Sequence, residues 1–214
     1  MSSYRFRKTA SIALVVLIMT TTIQAEEVAP AIAAMRQFPP YRHAVETVFQ
    51  QYESSLRTHC ATIKTDWGKS TVYVATQPAL DAQKHIVSGI WVDTVPGEAC
   101  GQHRRYNAVI IFHDGQPAVL PLFPGESESN PLLQKDTLLY VGTALAAAAG
   151  VKSSCHIDIL ETQLPDGHPA PHTPWMERWR ADACGKQYWL KVNYIPDATG
   201  TTIDVKPSDV AAVK

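Results

Sequence analysis

Eight histidines, four cysteines, five tryptophans and a scatter of carboxylates on apolar segments are the side chains through which this 214-residue sequence could do chemistry. Nucleophilic catalysis needs an activated group, and neither a Gly-x-Ser-x-Gly elbow nor a Ser-x-x-Lys pair occurs. A cysteine nucleophile must be a free thiol. For metals, His168 and His172 are spaced four apart, but Pro169 and Pro171 forbid the helix that would put both rings on one face. No His-Glu-x-x-His and no Cys-x-x-Cys is present. His113-Asp114 has the form of a base with its orienting carboxylate, yet an Asp at a strand-ending turn more simply caps its own backbone. Asp93, Glu98, Glu177 and Asp182 could pair across strands for acid–base work. No cofactor and no metal is expected. Among the aromatics, Trp189 falls on the polar face of its strand, beside Gln187, Lys191 and Asn193, where it could stack on a sugar or grip a peptide.

Composition and charge narrow the classes further. With 45% hydrophobic and 18% charged residues, the chain is neither disordered nor a polytopic membrane protein. A formal charge of −1 leaves no excess of Lys and Arg for a nucleic-acid backbone. Arg5, Arg7 and Lys8 precede an uncharged stretch whose apolar core, Ile12 to Met19, is eight residues long, far short of the roughly 20 that span a bilayer. This reads as a Sec-type signal peptide, residues 1–25, cleaved after Ala25. Its removal takes three basic and no acidic residues, leaving 189 residues at −4 with no transmembrane span. The expected location is periplasmic or secreted.

All four cysteines, Cys60, Cys100, Cys155 and Cys184, lie in the exported part, and an even count in an oxidising compartment reads as two disulfides. Three connectivities are open. A possible internal duplication favours one of them. Glu98-Ala99-Cys100-Gly101-Gln102 matches Asp182-Ala183-Cys184-Gly185-Lys186. Each is preceded by a Trp-bearing strand and followed by an apolar strand that meets an Asp-containing turn, with Cys-to-Asp spacings of 14 and 13. Upstream, Cys60 and Cys155 each open a strand. If the halves repeat, the pairing is Cys60–Cys100 and Cys155–Cys184.

The elements that must position these residues follow the same two-part order. Tyr41, Val45, Val48, Phe49, Tyr52 and Leu56 form one stripe of a helix over 40–57. Asn130 as N-cap, Pro131 at the first turn and Gly150 beyond the last turn bound a second helix. Strands are expected over 60–66, 70–76, 86–94, 106–112, 155–163 and 201–206, and alternation is clearest in Trp175–Ala183 and Gln187–Tyr194. The fold class is α+β: two tandem helix-plus-antiparallel-sheet units, 26–123 and 124–214, each with one disulfide. The order of elements is that of a cystatin-like architecture. Residues 123–130 read as an exposed polar connection, and 165–174, with four prolines, as a stiff extended loop.

The segment Trp175-Met176-Glu177-Arg178-Trp179 … Ala183-Cys184-Gly185 … Pro196-Asp197-Ala198-Thr199-Gly200-Thr201 resembles the C-terminal end of small exported proteins of Gram-negative bacteria. The resemblance implies export and a shared fold and brings no catalytic residues. The function expected is therefore a non-enzymatic binding or accessory protein of the cell envelope, with a protein, peptide or glycan partner and Trp189 as the candidate contact. Alternatives are an envelope hydrolase with a carboxylate or His site, and a secreted inhibitor of a macromolecule. An enzyme requires a cleft with converging titratable groups, whereas a binder requires exposed apolar surface.

Overall fold

The computed structural model describes residues 20–213. The basic and apolar parts of the expected signal lie outside the described residues, and Ala25 falls within the first helix, α1 (Thr20–Gln37). The chain then runs α2 (Pro39–Ser55), β1 (Ile63–Thr65), β2 (Thr71–Leu80), β3 (Ile86–Ala99), β4 (Gln102–His113) and β5 (Gln116–Leu122). It continues through α3 (Pro131–Ala149), β6 (Ile157–Gln163), β7 (Trp175–Ala183), β8 (Lys186–Asp197), β9 (Gly200–Asp204) and β10 (Val210–Ala212). The fold is α+β, with two antiparallel sheets and one disulfide in each half.

In sheet A, β1 and β2 lie end to end along one side of β3, with β4 and β5 on the other. In sheet B the order is β6-β7-β8, and β9 and β10 share the far side of β8. The two units match in register: Ile63 faces Ala99 as Ile157 faces Ala183, and each pair leads into a two-residue Cys-Gly turn. Both turn residues have positive φ (49° and 75° at Cys100-Gly101, 52° and 82° at Cys184-Gly185), the backbone of a tight hairpin between right-twisted strands. The disulfides are Cys60–Cys100 and Cys155–Cys184, as a chain that folds in an oxidising compartment forms them. Ladder register also explains the unequal Cys-to-Asp spacing. His113, not Asp114, occupies the place of Asp197: His113 closes on Gln116 as Asp197 closes on Gly200.

Each sheet buries one face under a helix. α2 lays Tyr41, Val45 and Phe49 on Trp91, Val95, Tyr106 and Ile110, and Ile32 and Met35 of α1 extend that core. α3 lays Val141, Ala144 and Leu145 on Trp179, Leu190, Val192 and Tyr194. Its N-cap is Asn130, whose side chain accepts from Leu133 N at 2.9 Å, and it stops at Gly150 with φ 65°. Three elements escape the periodicity. β5 carries Pro117 and Pro121, which only an edge strand tolerates. α1 contains Pro30, and β10 is three residues long.

Polar and charged groups, several of them buried, join the units. Glu53, fully buried on α2, receives Arg104 Nε at 2.6 Å and the Tyr106 hydroxyl at 2.8 Å, while Arg104 also reaches across to the Leu160 carbonyl at 3.1 Å. The Tyr52 hydroxyl donates to the Ile159 carbonyl. Asp158 and Asp182 face each other across β6 and β7, and Arg57 from the first unit offsets both, by its backbone N–H (2.9 Å) and its guanidinium (3.3 Å).

Within the first core, Asp93 on β3 is fully buried, with Arg36 Nε at 2.8 Å and the Tyr41 hydroxyl donating to it; Trp91 Nε1 donates to that hydroxyl at 3.0 Å. Burial, with the Asp93 charge beside it, raises the Tyr41 phenol well above its usual range, so it stays a donor. Burial likewise raises the Asp93 carboxyl, outweighing the Tyr41 and Arg36 contacts that lower it. A raised folded-state value makes proton binding favour the folded chain. The Asp93 contribution to stability is thus full below the unfolded-state value of about 3.9 and lost as pH rises through the folded-state value. Urea denaturation of Asp93→Asn at pH 4, 5, 6 and 7 is expected to show less loss of stability with rising pH than the unaltered chain; an equal slope contradicts the assignment.

Candidate functional site

A tryptophan, a carboxylate and a tryptophan at alternate positions of a strand all project to the same side. Trp175, Glu177 and Trp179 of β7 do so, and both indoles donate to the carboxylate between them, Trp175 Nε1 at 3.0 Å and Trp179 Nε1 at 2.8 Å. Glu177 is fully buried. Its remaining partners come from the segment joining the two units: Ser127 Oγ at 3.0 Å, the Glu128 backbone N–H at 3.0 Å and Ser129 Oγ at 3.1 Å. Five donor groups thus converge on one carboxylate, three of them from a stretch with no regular secondary structure.

That segment is therefore not the exposed connection its polarity suggests. Pro124 and Ser129 are buried, and 125–128 are half-buried. Phe123 packs edge-on against Trp179, with ring centroids 5.3 Å apart, and its N–H donates to Gln134 Oε1 at 2.8 Å. Gly125 pairs with Thr162 of β6 on one side and donates to the Arg105 carbonyl of β4 (2.8 Å) on the other, so the segment straps the two sheets together. A Cβ at Gly125 would sit 2.0 Å from the Thr162 oxygen, and φ there is 111°. Only glycine fits. Asn107 of β4 completes the strap, its amide donating to the carbonyls of Phe123 and Gly125 at 2.9 Å each.

The strap forms one wall of a cleft of about 580 Å³ on the face of sheet A turned away from α2. Its floor is apolar: Ile90 and Val92 of β3, Val109 and Ile111 of β4, and Leu122 of β5, with Tyr73 of β2 standing exposed at one edge. Sheet A is thus apolar on both faces. The equivalent face of sheet B carries Met176, Arg178, Arg180, Trp189, Lys191 and Asn193. At the strap end of the cleft the rim is charged. Arg105 pairs with Glu126, and His168 from the Pro-rich loop pairs with Glu128.

Trp189, the residue singled out from the sequence, lies on sheet B away from this cleft. Its half-buried ring is covered by the Arg178 guanidinium at 4.6 Å, with Arg180 at 5.9 Å. The carboxylates considered for acid–base pairing are not brought together as a set. Asp93 and Glu177 occupy equivalent places in separate cores, and Asp182 is paired with Arg57. Glu98 lines a second cavity, of about 520 Å³, between the sheets. Charged residues make up much of its lining, and most of them are paired: Lys69 with Asp66, Arg104 with Glu53, Arg180 with Glu161. His113 and Asp114 meet only at an exposed turn, 3.3 Å apart. The 165–174 loop is not simply extended; it turns at 164–167 and 170–173, with His172 in the left-handed region (φ 60°). Among the described residues no three His, Cys, Asp or Glu side chains converge as a metal site, and no helix is long and apolar enough to cross a membrane.

The cleft had a signal in the sequence. Ala108-Val109-Ile110-Ile111-Phe112 lacks the apolar–polar alternation of Gln187 to Tyr194, and an unbroken apolar run marks a strand covered on both faces. Glu177→Ala strands five donors in a buried site, and unfolding free energy should fall by about 3–5 kcal/mol. Trp189→Ala, which gives up a half-buried ring and its cation–π contact, should cost less, about 1–2 kcal/mol. Urea titration of both variants decides it, and equal losses contradict the anchoring role. No family model, curated protein or solved structure matches the chain.

Proposed function

We propose that this is an exported, non-enzymatic binding protein of the bacterial cell envelope that holds a small ligand with an apolar body in the cleft on sheet A. One observation carries the reading: the face of sheet A opposite its helix is apolar, sits beneath a fixed wall, and encloses a volume in the range of small-molecule sites. An apolar patch of this kind, rimmed by polar groups, is characteristic of binding surfaces. Support against a catalytic role comes from where the carboxylates are spent, since Asp93, Glu177, Asp158 and Asp182 are committed to protein partners. Export rests on the two disulfides together with the basic-then-apolar N-terminal sequence. The periplasm, or the medium beyond it, is the location this implies. The ligand contact moves accordingly from Trp189 to the floor of Ile90, Val92, Val109 and Ile111.

A neutral naphthalene probe whose emission rises in apolar surroundings tests the assignment. Binding to the unaltered chain is expected, with Ile111→Asp weakening it at least tenfold and Trp189→Ala leaving it within twofold. Circular dichroism and urea midpoints establish that each variant is folded. Equal binding by a folded Ile111→Asp chain, or loss of binding in Trp189→Ala, overturns the cleft as the site.

A further inference from the structure

We infer that the cleft selects ligands whose polar end is a cation, an amine or guanidine group carried on an apolar body; the inference rests on the binding reading above. The rim at the strap end holds two carboxylates, Glu126 and Glu128, against one permanent cation, Arg105, and one imidazole, His168. Two carboxylates against a single guanidinium leave this end of the cleft acidic in its permanent charges, directly beside an apolar floor. A cationic head is the complement of that charge.

Between the two carboxylates, Glu128 is the one built to receive it. Its backbone N–H is bound to buried Glu177, and the serines on both sides of it are bound there too, so its main chain is fixed before any ligand arrives. Its side chain is more sheltered than that of Glu126, 26% exposed against 44%. Its partner is replaceable: His168 is 74% exposed and belongs to a loop that touches the strap from outside. An ammonium or guanidinium head in place of this exposed imidazole offers the carboxylate a cation whose charge is permanent and a partner held by the floor as well. A ligand carboxylate taking Arg105 from Glu126 only exchanges one anion for another and leaves Glu126 unpaired. The site therefore discriminates by the sign of the head group, and the apolar floor supplies affinity that does not depend on it.

Displacement of the neutral naphthalene probe by decylamine, decanol and decanoate, each below its aggregation concentration, reads this directly. Decylamine is expected to displace at concentrations at least tenfold lower than either of the others. Glu128→Gln should bring the amine to within threefold of the alcohol, and His168→Ala, which removes the competing imidazole, should widen the amine's advantage. Equal displacement by all three heads, preference for decanoate, or an amine preference that survives Glu128→Gln overturns the head-group inference while leaving the cleft reading intact. Failure of the probe itself to bind overturns the cleft reading.

Discussion

The buried carboxylate of Glu177 is the constraint from which the rest of the candidate site is built. An ionised group taken out of water must be met by donors on all sides, or the fold loses several kcal/mol. Two of those donors are fixed by the strand that bears Glu177, because Trp175 and Trp179 share its face. The other three can come only from the chain passing over it, and residues 127–129 are held there in consequence. Once they are held, Phe123 is seated on Trp179, Gly125 is drawn between Thr162 and Arg105, and the segment becomes a wall rather than a tether. A group in the core of one unit thereby shapes the outer face of the other.

The two units use the same architectural position differently. Asp93 and Glu177 both follow a tryptophan by two residues and precede the hairpin cysteine by seven. Asp93 turns its requirement inward and ties α1 and α2 to sheet A through Arg36 and Tyr41. Glu177 ties down the inter-unit strap. The outer faces differ in the same way. Sheet A keeps an apolar outer face that the strap partly shelters, and sheet B is covered with Arg, Lys, Gln and Asn, with Trp189 beneath two guanidinium groups. A structure with two similar sheets thus has one surface suited to an apolar ligand.

How far this was legible in the sequence depends on the range of the interaction. The helix stripe of Tyr41, Val45, Val48 and Phe49, the cap at Asn130, the stop at Gly150 and the Cys-Gly hairpins are local patterns, and each is found in place. The disulfides join cysteines 40 and 29 residues apart, and their pairing followed from a repeat in spacing between the two halves. β5 was hidden because Pro117 and Pro121 argue against a strand unless its edge position is known. The strap reads as a loop because Gly125, Ser127 and Ser129 are loop residues by composition, and what holds the two serines is a carboxylate some 50 residues later. Trp189 drew attention by lying on a polar strand face, where the covering arginine comes from the neighbouring strand. The missing alternation in Ala108–Phe112 was visible throughout, but a strand covered on both faces says nothing about what covers the second one.

Amide hydrogen exchange with and without saturating naphthalene probe bears most directly on the claim that the strap and the outer face of sheet A form the ligand site. Added protection is expected in β3, β4 and residues 125–130, with the strand carrying Trp189 unchanged. Protection centred on Arg178 and Trp189, with the strap unaffected, would contradict it.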